Sequence, residues 1–385
     1  MRCWQFILVF LLPLILSASL GGCQGVEVEQ TAIAVGTAAD WHDGDYIISV
    51  QLAKVVTPDQ AGSQEGPRFV VLSERGQTLS EAARRMTLTL PRLPLWFNAN
   101  TLLIGESLAR HGVSDIVDFL SRNPNVRENA LVVMTRGATP QDIYQVDTPL
   151  ESFSSVAIRR ILETQESQAG IYVPVTLADF LYNLATPGID PVLPQVRVIS
   201  DHGKKLLKIE GTAVFRGPEW AGELNETESR GFRFLSSKRI RGGLIVIPAP
   251  GDENRYVTIE IISSQAAMKP VWNEGELRMM VQVSADGNFY DQTSSKPLLN
   301  LETFARMEEL SADQIEGEMK QAIHKAQNFQ ADIFGWGRLL QIEYPHIWSQ
   351  VKQDWPEIFS AMKVDIQVDF ELRRTYLNDR SFVIK

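Results

Sequence analysis

The N-terminus carries an apolar run from Phe6 to Leu20, which follows a single positive charge at Arg2. The run is about 15 residues long, whereas a membrane-spanning helix needs roughly 20. A short charged start, an apolar middle and small residues at the end are typical of an export signal. We therefore predict that residues 1–22 are a signal peptide and that the rest of the chain works outside the cytoplasmic membrane.

Residues Leu20-Gly21-Gly22-Cys23 resemble the bacterial lipoprotein box. In that class of protein the cysteine sulfur receives a diacylglycerol, and cleavage makes the cysteine the new N-terminus. Cys23 is therefore the predicted lipid-attachment residue. Two acyl chains suffice for stable anchoring, since each buried CH₂ contributes about 0.8 kcal/mol. The alternatives are a cleaved secretory signal with an incidental cysteine and an uncleaved anchor.

The acidic composition argues against several classes of function. Lys and Arg number 37 and Asp and Glu number 47, which gives a formal net charge of −10. Nucleic-acid binding needs clustered positive charge, so we expect no nucleic-acid partner. Two cysteines and five histidines leave little material for a metal site. The sequence has no G-x-G-x-x-G or P-loop pattern, and we predict neither a metal nor a cofactor.

Strand and helix patterns alternate in the first half of the mature chain. A hairpin is predicted around the turn at Asp43-Gly44-Asp45. Thr78, with Glu81 three residues later, predicts the start of a helix. The apolar segments 101–104 and 130–135 predict buried strands. This alternation favours an α/β layer arrangement.

The second half has a different pattern. Pro187, Pro191 and Pro194 indicate a linker near residue 195. Residues 298–334 have helical periodicity, which predicts a short helix and a longer one that starts near Ser311. Residues 364–372 alternate apolar and polar, as in a half-buried strand.

These patterns together predict an α+β fold in which a long C-terminal helix packs on a mostly antiparallel sheet. They divide the chain into a signal peptide at 1–22 and a mature part with a domain boundary near residue 195.

Few residues suggest catalysis. Gly105-Glu-Ser-Leu-Ala109 lies between a predicted strand and a helix, the context of a nucleophile elbow that would present Ser107. Its last position is alanine and no motif marks an Asp or His partner, so a plain strand–turn–helix junction is favoured. His111 precedes a glycine at a helix end, where a cation suits the helix dipole. We predict no catalytic residue.

Three further groups of side chains have ordinary structural interpretations. The carboxylates of Asp365, Asp369 and Glu371 alternate with apolar residues and fit the wet face of a strand. The basic segments 204–208 and 238–241 fit solvated faces, with contact to anionic lipid headgroups as the alternative. An aromatic cluster follows the long helix and is interpreted as core packing rather than a recognition surface. It comprises Trp336, Tyr344, Trp348, Trp355 and Phe359.

Several stretches together resemble one family, the Ger(x)C lipoproteins, which are the C subunits of nutrient germinant receptors in endospore-forming bacteria. The resemblance covers the mature chain from Cys23 to about residue 370, in order. Its motifs are the lipoprotein box, Ala32-Ile-Ala-Val-Gly36, Gly76-Gln-Thr-Leu-Ser-Glu-Ala82, Thr101-Leu-Leu-Ile-Gly-Glu-Ser-Leu-Ala-Arg-His-Gly112 with Val117-Asp-Phe-Leu-Ser-Arg122, Gly211-Thr-Ala-Val-Phe215 with Glu228-Ser-Arg-Gly231, and Ala331-Asp-Ile-Phe-Gly-Trp-Gly337.

The resemblance implies a fold of three mixed α/β domains, which agrees with the boundary predicted near residue 195. The divisions are then an N-terminal α/β domain at 23–195, a small middle domain at 196–240 and a C-terminal α+β domain at 241–385.

The resemblance also implies a non-enzymatic protein that acts in nutrient-triggered spore germination. It would be anchored through diacylglycerol on the outer face of the inner membrane of the cell or spore, and it would dock on integral A and B subunits. An extracytoplasmic solute-binding lipoprotein of a transporter is the alternative function, because it shares the anchor and the mixed α/β content. An anchored hydrolase built on Ser107 is a third.

Overall fold

The structure is a computed structural model that describes residues 30–54, 67–123, 126–236, 239–273, 275–298 and 300–375. The predicted signal peptide and the predicted lipid-attachment residue Cys23 lie outside these ranges, as does Lys238 of the second basic segment.

Within the described residues, the first half of the chain builds a nine-stranded sheet. Its strands are β1 (Thr31–His42), β2 (Asp45–Ala53), β3 (Phe69–Gly76), β4 (Leu93–Leu95), β5 (Thr101–Ile104), β6 (Leu131–Thr135), β7 (Val192–Asp201), β8 (Lys204–Arg216) and β9 (Glu219–Leu224). The order is β3-β2-β1-β5-β6-β7-β8-β9, and β4 pairs with the start of β1. The central strands β1, β5, β6 and β7 run parallel, and the outer strands are antiparallel.

Helices cover both faces of this sheet. They are α1 (Leu79–Arg85), α2 (Glu106–His111), α3 (Ser114–Arg122), α4 (Pro140–Tyr144), α5 (Ser154–Gln168) and α6 (Leu177–Ala185). Strand β5 shows why the central strands are apolar throughout. Leu102 and Ile104 face one hydrophobic core and Leu103 faces the other, and all three are buried. A parallel strand covered on both faces has no polar side to present.

The second half builds a four-stranded sheet with helices beside it. The strands are β10 (Leu244–Ala249), β11 (Asp252–Asn273), β12 (Glu276–Gln292) and β13 (Lys363–Thr375), in that order, and the β12–β13 pair is parallel. The helices are α7 (Glu226–Phe234), α8 (Leu301–Asn328), α9 (Trp336–Glu343), α10 (Pro345–Val351) and α11 (Trp355–Ala361). The predicted α+β class, with a long helix beside a mostly antiparallel sheet, is confirmed.

Local sequence signals correspond to the observed turns and caps. The hairpin of β1 and β2 turns at Asp43 and Gly44, both of which have positive φ. Thr78 Oγ1 accepts a hydrogen bond from the Glu81 N–H at 3.1 Å, and Glu81 Oε2 accepts one from the Gln77 N–H at 2.9 Å. The first bond satisfies an N–H group that the first turn of α1 leaves without a partner, and the second ties Glu81 back to the residue before the cap.

The predicted break near Ser311 is wrong, because α8 is one continuous helix from Leu301 to Asn328. Ser311 interrupts the apolar pattern in sequence, but its side chain is fully buried in the helix and its Oγ donates a hydrogen bond to the Met307 carbonyl at 2.7 Å. A serine that bonds back to the preceding turn keeps its hydroxyl satisfied without ending the helix.

The predicted division at residue 195 falls inside β7. Gln195 pairs with Met134 of β6, and Val196 pairs with Ile209 of β8, so the same sheet continues on both sides of that position. Division of the chain at 195 and 240 remains a prediction.

The two halves are joined by two aspartates. The Asp190 N–H donates to the Asp332 carbonyl at 2.8 Å, and the Asp332 N–H donates to Asp190 Oδ2 at 2.7 Å. Asp190 Oδ1 also accepts from the Gly217 N–H at 2.7 Å. The segment that leads into β7 is thereby bonded both to the β8–β9 turn and to the loop after α8.

The Asp332 carboxylate is buried and organises the loop that follows it. Oδ1 accepts from the Phe334 and Trp336 N–H groups at 3.3 and 3.1 Å, and Oδ2 accepts from the Gly337 N–H at 2.7 Å and from Trp355 Nε1 at 3.0 Å. Burial raises the pKa of Asp332 to about 7, although these hydrogen bonds oppose the shift.

Most of the aromatic cluster packs inside the molecule. Trp336 and Phe359 are fully buried, and Trp348 and Trp355 are nearly so. The ring centroids of Trp336 and Phe359 are 5.4 Å apart, as are those of Trp348 and Trp355. The interpretation of these four rings as core is confirmed, while Tyr344 is only partly buried and packs at the edge of that core.

A second buried contact joins α7 to α8. Glu318 is 1% exposed and accepts a hydrogen bond from Arg230 Nε at 2.7 Å and another from Gln314 Nε2 at 2.7 Å. A Cβ added at Gly231 would lie 2.1 Å from the Glu318 carbonyl oxygen, so the glycine allows the two helices to approach. The Glu228-Ser-Arg-Gly231 motif therefore has a packing role.

We expect the stability of the protein relative to an Asp332→Asn variant to fall as the pH rises from about 4 to about 7, and to stay level above that. The folded protein holds the Asp332 proton up to about pH 7, whereas the unfolded chain, with an ordinary pKa of 3.8, releases it earlier. Unfolding therefore becomes easier across this interval, by an amount on the order of a few kcal/mol.

Urea unfolding of both proteins at a series of pH values measures this difference. Asp369→Asn is the matched control, because Asp369 is exposed on β13 and its loss should leave the pH profile unchanged. If the free energy of unfolding of wild type rises with pH relative to that of Asp332→Asn, the assignment is contradicted.

Glu318→Ala should lower the free energy of unfolding by about 3 kcal/mol, because it removes a buried carboxylate and leaves the partly buried Arg230 guanidinium without its partner. Chemical denaturation measures the change. Glu309→Ala, which removes the exposed partner of Arg306 on the same helix, should have no measurable effect. Equal effects of the two substitutions would contradict this account.

Candidate functional site

An apolar cavity of about 480 Å³ lies between α1, α3 and the segment that contains β4. The strands of the large sheet contribute Ala38, Ile48 and Leu102 to its lining, and the two helices contribute Ala83 and Phe119. Its remaining apolar lining residues are Ala39, Leu79, Leu93, Pro94, Leu95, Trp96, Phe97, Ala99, Ile116, Leu120, Val126, Ala130 and Leu177. Such a cavity offers dispersion contacts and few hydrogen bonds to an occupant.

The mouth of the cavity is marked by its exposed lining residues. Leu93 is 51% exposed and Phe97 is 50% exposed. Leu88, which follows the lining residue Thr87 in the chain, is 77% exposed. Two arginines, Arg84 and Arg127, also line the cavity, and no carboxylate does so among the described residues. The entrance therefore combines exposed apolar side chains with positive charge.

The proline-rich aromatic connection after α1 shapes this entrance. Leu93 pairs with Thr31 and Leu95 pairs with Ile33, so β4 lies beside the first residues of β1. The Asn100 N–H then donates to the Val35 carbonyl at 2.8 Å, which leads the chain into β5. This pairing holds the Leu93–Phe97 stretch at the sheet edge where β1 begins.

A polar cluster occupies the opposite end of the parallel strands. Arg136, just after β6, lies 2.8 Å from both carboxylate oxygens of Glu106 and 3.0 Å from Glu223 Oε2. The guanidinium groups of Arg136 and Arg110 lie over the Trp220 ring, 5.0 and 4.2 Å from its centroid. Burial would raise the pKa of Glu106, but hydrogen bonds from Arg136 and Arg110 hold it below its usual value.

Asp40 lies beside the Gly105 turn. Its Oδ1 accepts hydrogen bonds from the Trp41 N–H at 2.9 Å and the Leu108 N–H at 3.3 Å, and burial raises its pKa. A Cβ at Gly105 would lie 2.0 Å from the same oxygen, which explains the glycine. The exposed Ser107 hydroxyl makes no hydrogen bond to a described histidine or carboxylate, so these residues do not assemble a triad.

The other residues singled out in the sequence are dispersed. The His111 ring stacks on Trp41 with centroids 4.0 Å apart. Lys204 and Lys205 are exposed, and Arg239 donates to Ser263 Oγ at 3.0 Å. Within the described ranges, no group of three or more His, Cys, Asp or Glu side chains is placed to hold a metal ion. None of the described helices is both long and apolar enough to cross a membrane.

Sequence reasoning missed the cavity. Its lining residues lie far apart in the sequence, from β1 to Leu177. In the sequence, each of them looks like an ordinary core residue. The one local signal was the run of Leu93, Trp96 and Phe97 in a connection that a water-exposed loop would fill with polar residues.

Two family models match the chain, and together they span most of it. Residues 24–198 match the model described as "Spore germination protein N-terminal domain", and residues 210–376 match "Spore germination B3/ GerAC like, C-terminal".

Similar proteins and a similar structure are known. The putative spore germination protein YfkR of Bacillus subtilis (strain 168) is 25% identical over 92% of this chain and 93% of its own length. Spore germination protein KC of the same organism is 25% identical over 88% of each chain. The crystal structure of the GerBC protein has a similar fold, with a TM-score of 0.58 at 20% identity over 88% of this chain and 96% of that one. The chain therefore belongs to the Ger(x)C family of spore germination proteins.

Proposed function

We propose that this chain is the C subunit of a nutrient germinant receptor, anchored by lipid at Cys23 to the outer face of the spore's inner membrane. The observation that carries the proposal is the match of both halves of the chain to spore germination proteins, in order and over nearly the full length. The subunit acts without catalysis, by docking on the integral A and B subunits.

The anchor places the folded body close to the bilayer. Cys23 precedes Thr31, the first residue of β1, by eight positions. Even a fully extended segment of that length spans at most about 29 Å. Confinement at this distance raises the local concentration of the body beside integral partners, which strengthens weak docking contacts.

The second sheet offers an open face for such docking. Along β12, Met280, Gln282 and Ser284 are exposed, and they pair with the exposed Asp365, Gln367 and Asp369 of β13. The opposite sides of the same strands, including Val281 and Val283, are buried in the core. Of these six side chains only Met280 is apolar, so a protein partner would meet this face mainly through hydrogen bonds, as at the polar rim of an interface.

Cys23→Ala should move most of the protein from the membrane fraction to the soluble fraction and impair nutrient germination, because the acyl chains supply the membrane affinity. Fractionation and mass spectrometry of the N-terminal peptide measure both the location and the lipid.

Cys3→Ala is the matched control, since Cys3 leaves with the signal peptide and its loss should change neither the lipid nor the germination rate. The N-terminal mass also identifies any Cys23→Ala protein that keeps residues 1–22. An unmodified Cys23 in the native protein would refute the anchor.

A tagged copy of the chain should co-purify with two integral membrane proteins, the A and B subunits, when spore membranes are solubilised in mild detergent. Mass spectrometry of the eluate identifies the partners, and an untagged strain is the control. Recovery of a permease and an ATPase instead, together with a tryptophan fluorescence change on adding a small nutrient, would favour a solute-binding lipoprotein.

A further inference from the structure

We infer that the apolar cavity binds one acyl chain of an anionic phospholipid from the membrane, with the lipid headgroup at Arg84 and Arg127. The inference rests on the proposed lipid anchor for the nearness of the bilayer, and it adds a second, non-covalent lipid contact.

The position of the entrance supports a membrane ligand. The proposed tether ends at Thr31, and Thr31 pairs directly with Leu93 at the mouth of the cavity. The entrance and the origin of the tether therefore lie at the same edge of the sheet. The polar cluster lies at the opposite ends of the parallel strands, so the entrance is the end of the sheet closer to the origin of the tether.

Exposed apolar side chains around the entrance suit the same ligand. Leu88, Leu93 and Phe97 are each at least half exposed, and Ile33, which pairs with Leu95 of β4, is 39% exposed. Apolar residues gathered at one place on a surface mark an interaction site more often than scattered ones do. In the headgroup region such side chains become buried in hydrocarbon.

The charge at the entrance selects an anionic lipid. The chain as a whole has ten more acidic than basic side chains, yet the charged residues that line this cavity are Arg84 and Arg127. Arg92 is also exposed next to Leu93. Positive side chains near a bilayer are attracted to anionic headgroups.

The interior does not suit a polar nutrient. A volume of about 480 Å³ lies within the range of small-molecule sites. However, its polar lining consists of Thr37, Ser80, Thr87 and Asn123 beside the two arginines, with no carboxylate to pair with an amine among the described residues. A sugar or amino acid would therefore recover only part of its hydrogen bonds to water in this cavity, whereas an acyl chain has none to lose.

Native mass spectrometry of the full-length lipidated protein in detergent tests the inference. The protein is titrated separately with dioleoylphosphatidylglycerol and dioleoylphosphatidylcholine. We expect one saturable phosphatidylglycerol per chain, bound roughly tenfold tighter than phosphatidylcholine. The same spectra report the covalent mass on Cys23, so the anchor and the bound lipid are measured independently.

Two sets of variants locate the lipid. Ala83→Phe fills the cavity and should reduce lipid occupancy at least about fivefold, while Ala305→Phe, at an exposed position of α8, should not. Arg84→Gln combined with Arg127→Gln should remove the preference for phosphatidylglycerol, while Arg85→Gln, which is exposed beside Arg84 but does not line the cavity, should retain it.

The possible results distinguish a failure of the cavity site from a failure of the proposed lipid anchor. The inference is overturned if no added lipid binds. It is also overturned if the protein's own Cys23 acyl chain fills the cavity. Equal occupancy in wild type and a folded Ala83→Phe variant also overturns it. If circular dichroism shows Ala83→Phe to be unfolded, the surface arginine variants decide, and an unchanged lipid preference in them overturns the inference. Bound phosphatidylglycerol in a chain without covalent lipid supports the cavity site and refutes the anchor.

Discussion

The reciprocal bonds between Asp190 and Asp332 hold the two halves of the molecule in one arrangement. Each backbone N–H finds its acceptor on the other residue, and the two carboxylates then bind the β8–β9 turn and the loop after α8. A buried carboxylate is costly unless hydrogen bonds satisfy it. The raised pKa of Asp332 shows that part of this cost remains. The aromatic residues around it pack in an orientation that these bonds fix.

The local parts of this fold could be predicted because they depend on neighbouring residues. The cap at Thr78, the hairpin at Asp43 and the alternation in β13 each come from side chains within a few positions of one another. The continuity of α8 could not be predicted in the same way, because Ser311 looks polar in sequence while the tertiary environment buries it. A helix under strong tertiary packing tolerates such a residue when its hydroxyl bonds to the preceding turn.

The site was harder to predict than the fold. Cys23 follows from a local pattern and needs no structure, but the cavity exists only where α1, α3 and the β4 segment meet. Asp332 shows the same limit. In sequence it is one acidic residue in a motif, and its role depends on a hydrogen bond from Trp355, which lies 23 positions later in the chain, beyond α9 and α10. Contacts between distant segments depend on how the whole chain packs. The hydrophobic periodicity of one sequence indicates helices and strands but not these contacts.

The two ends of the parallel strands in the large sheet differ in the side chains they present. In α/β sheets, ligands usually bind beyond the carboxyl ends of parallel strands. Beyond β5 and β6 that end is closed by the protein itself, because Arg136 bridges Glu106 and Glu223 and lies over the Trp220 ring. Near the end of β1, a second cavity of about 490 Å³ is polar and is lined by Tyr46, Asp115 and Asp118. The apolar cavity lies instead toward the starts of β5 and β6, beside the origin of the proposed tether. The two ends of the parallel strands therefore differ in chemistry, and the end nearest the proposed tether is the apolar and positively charged one.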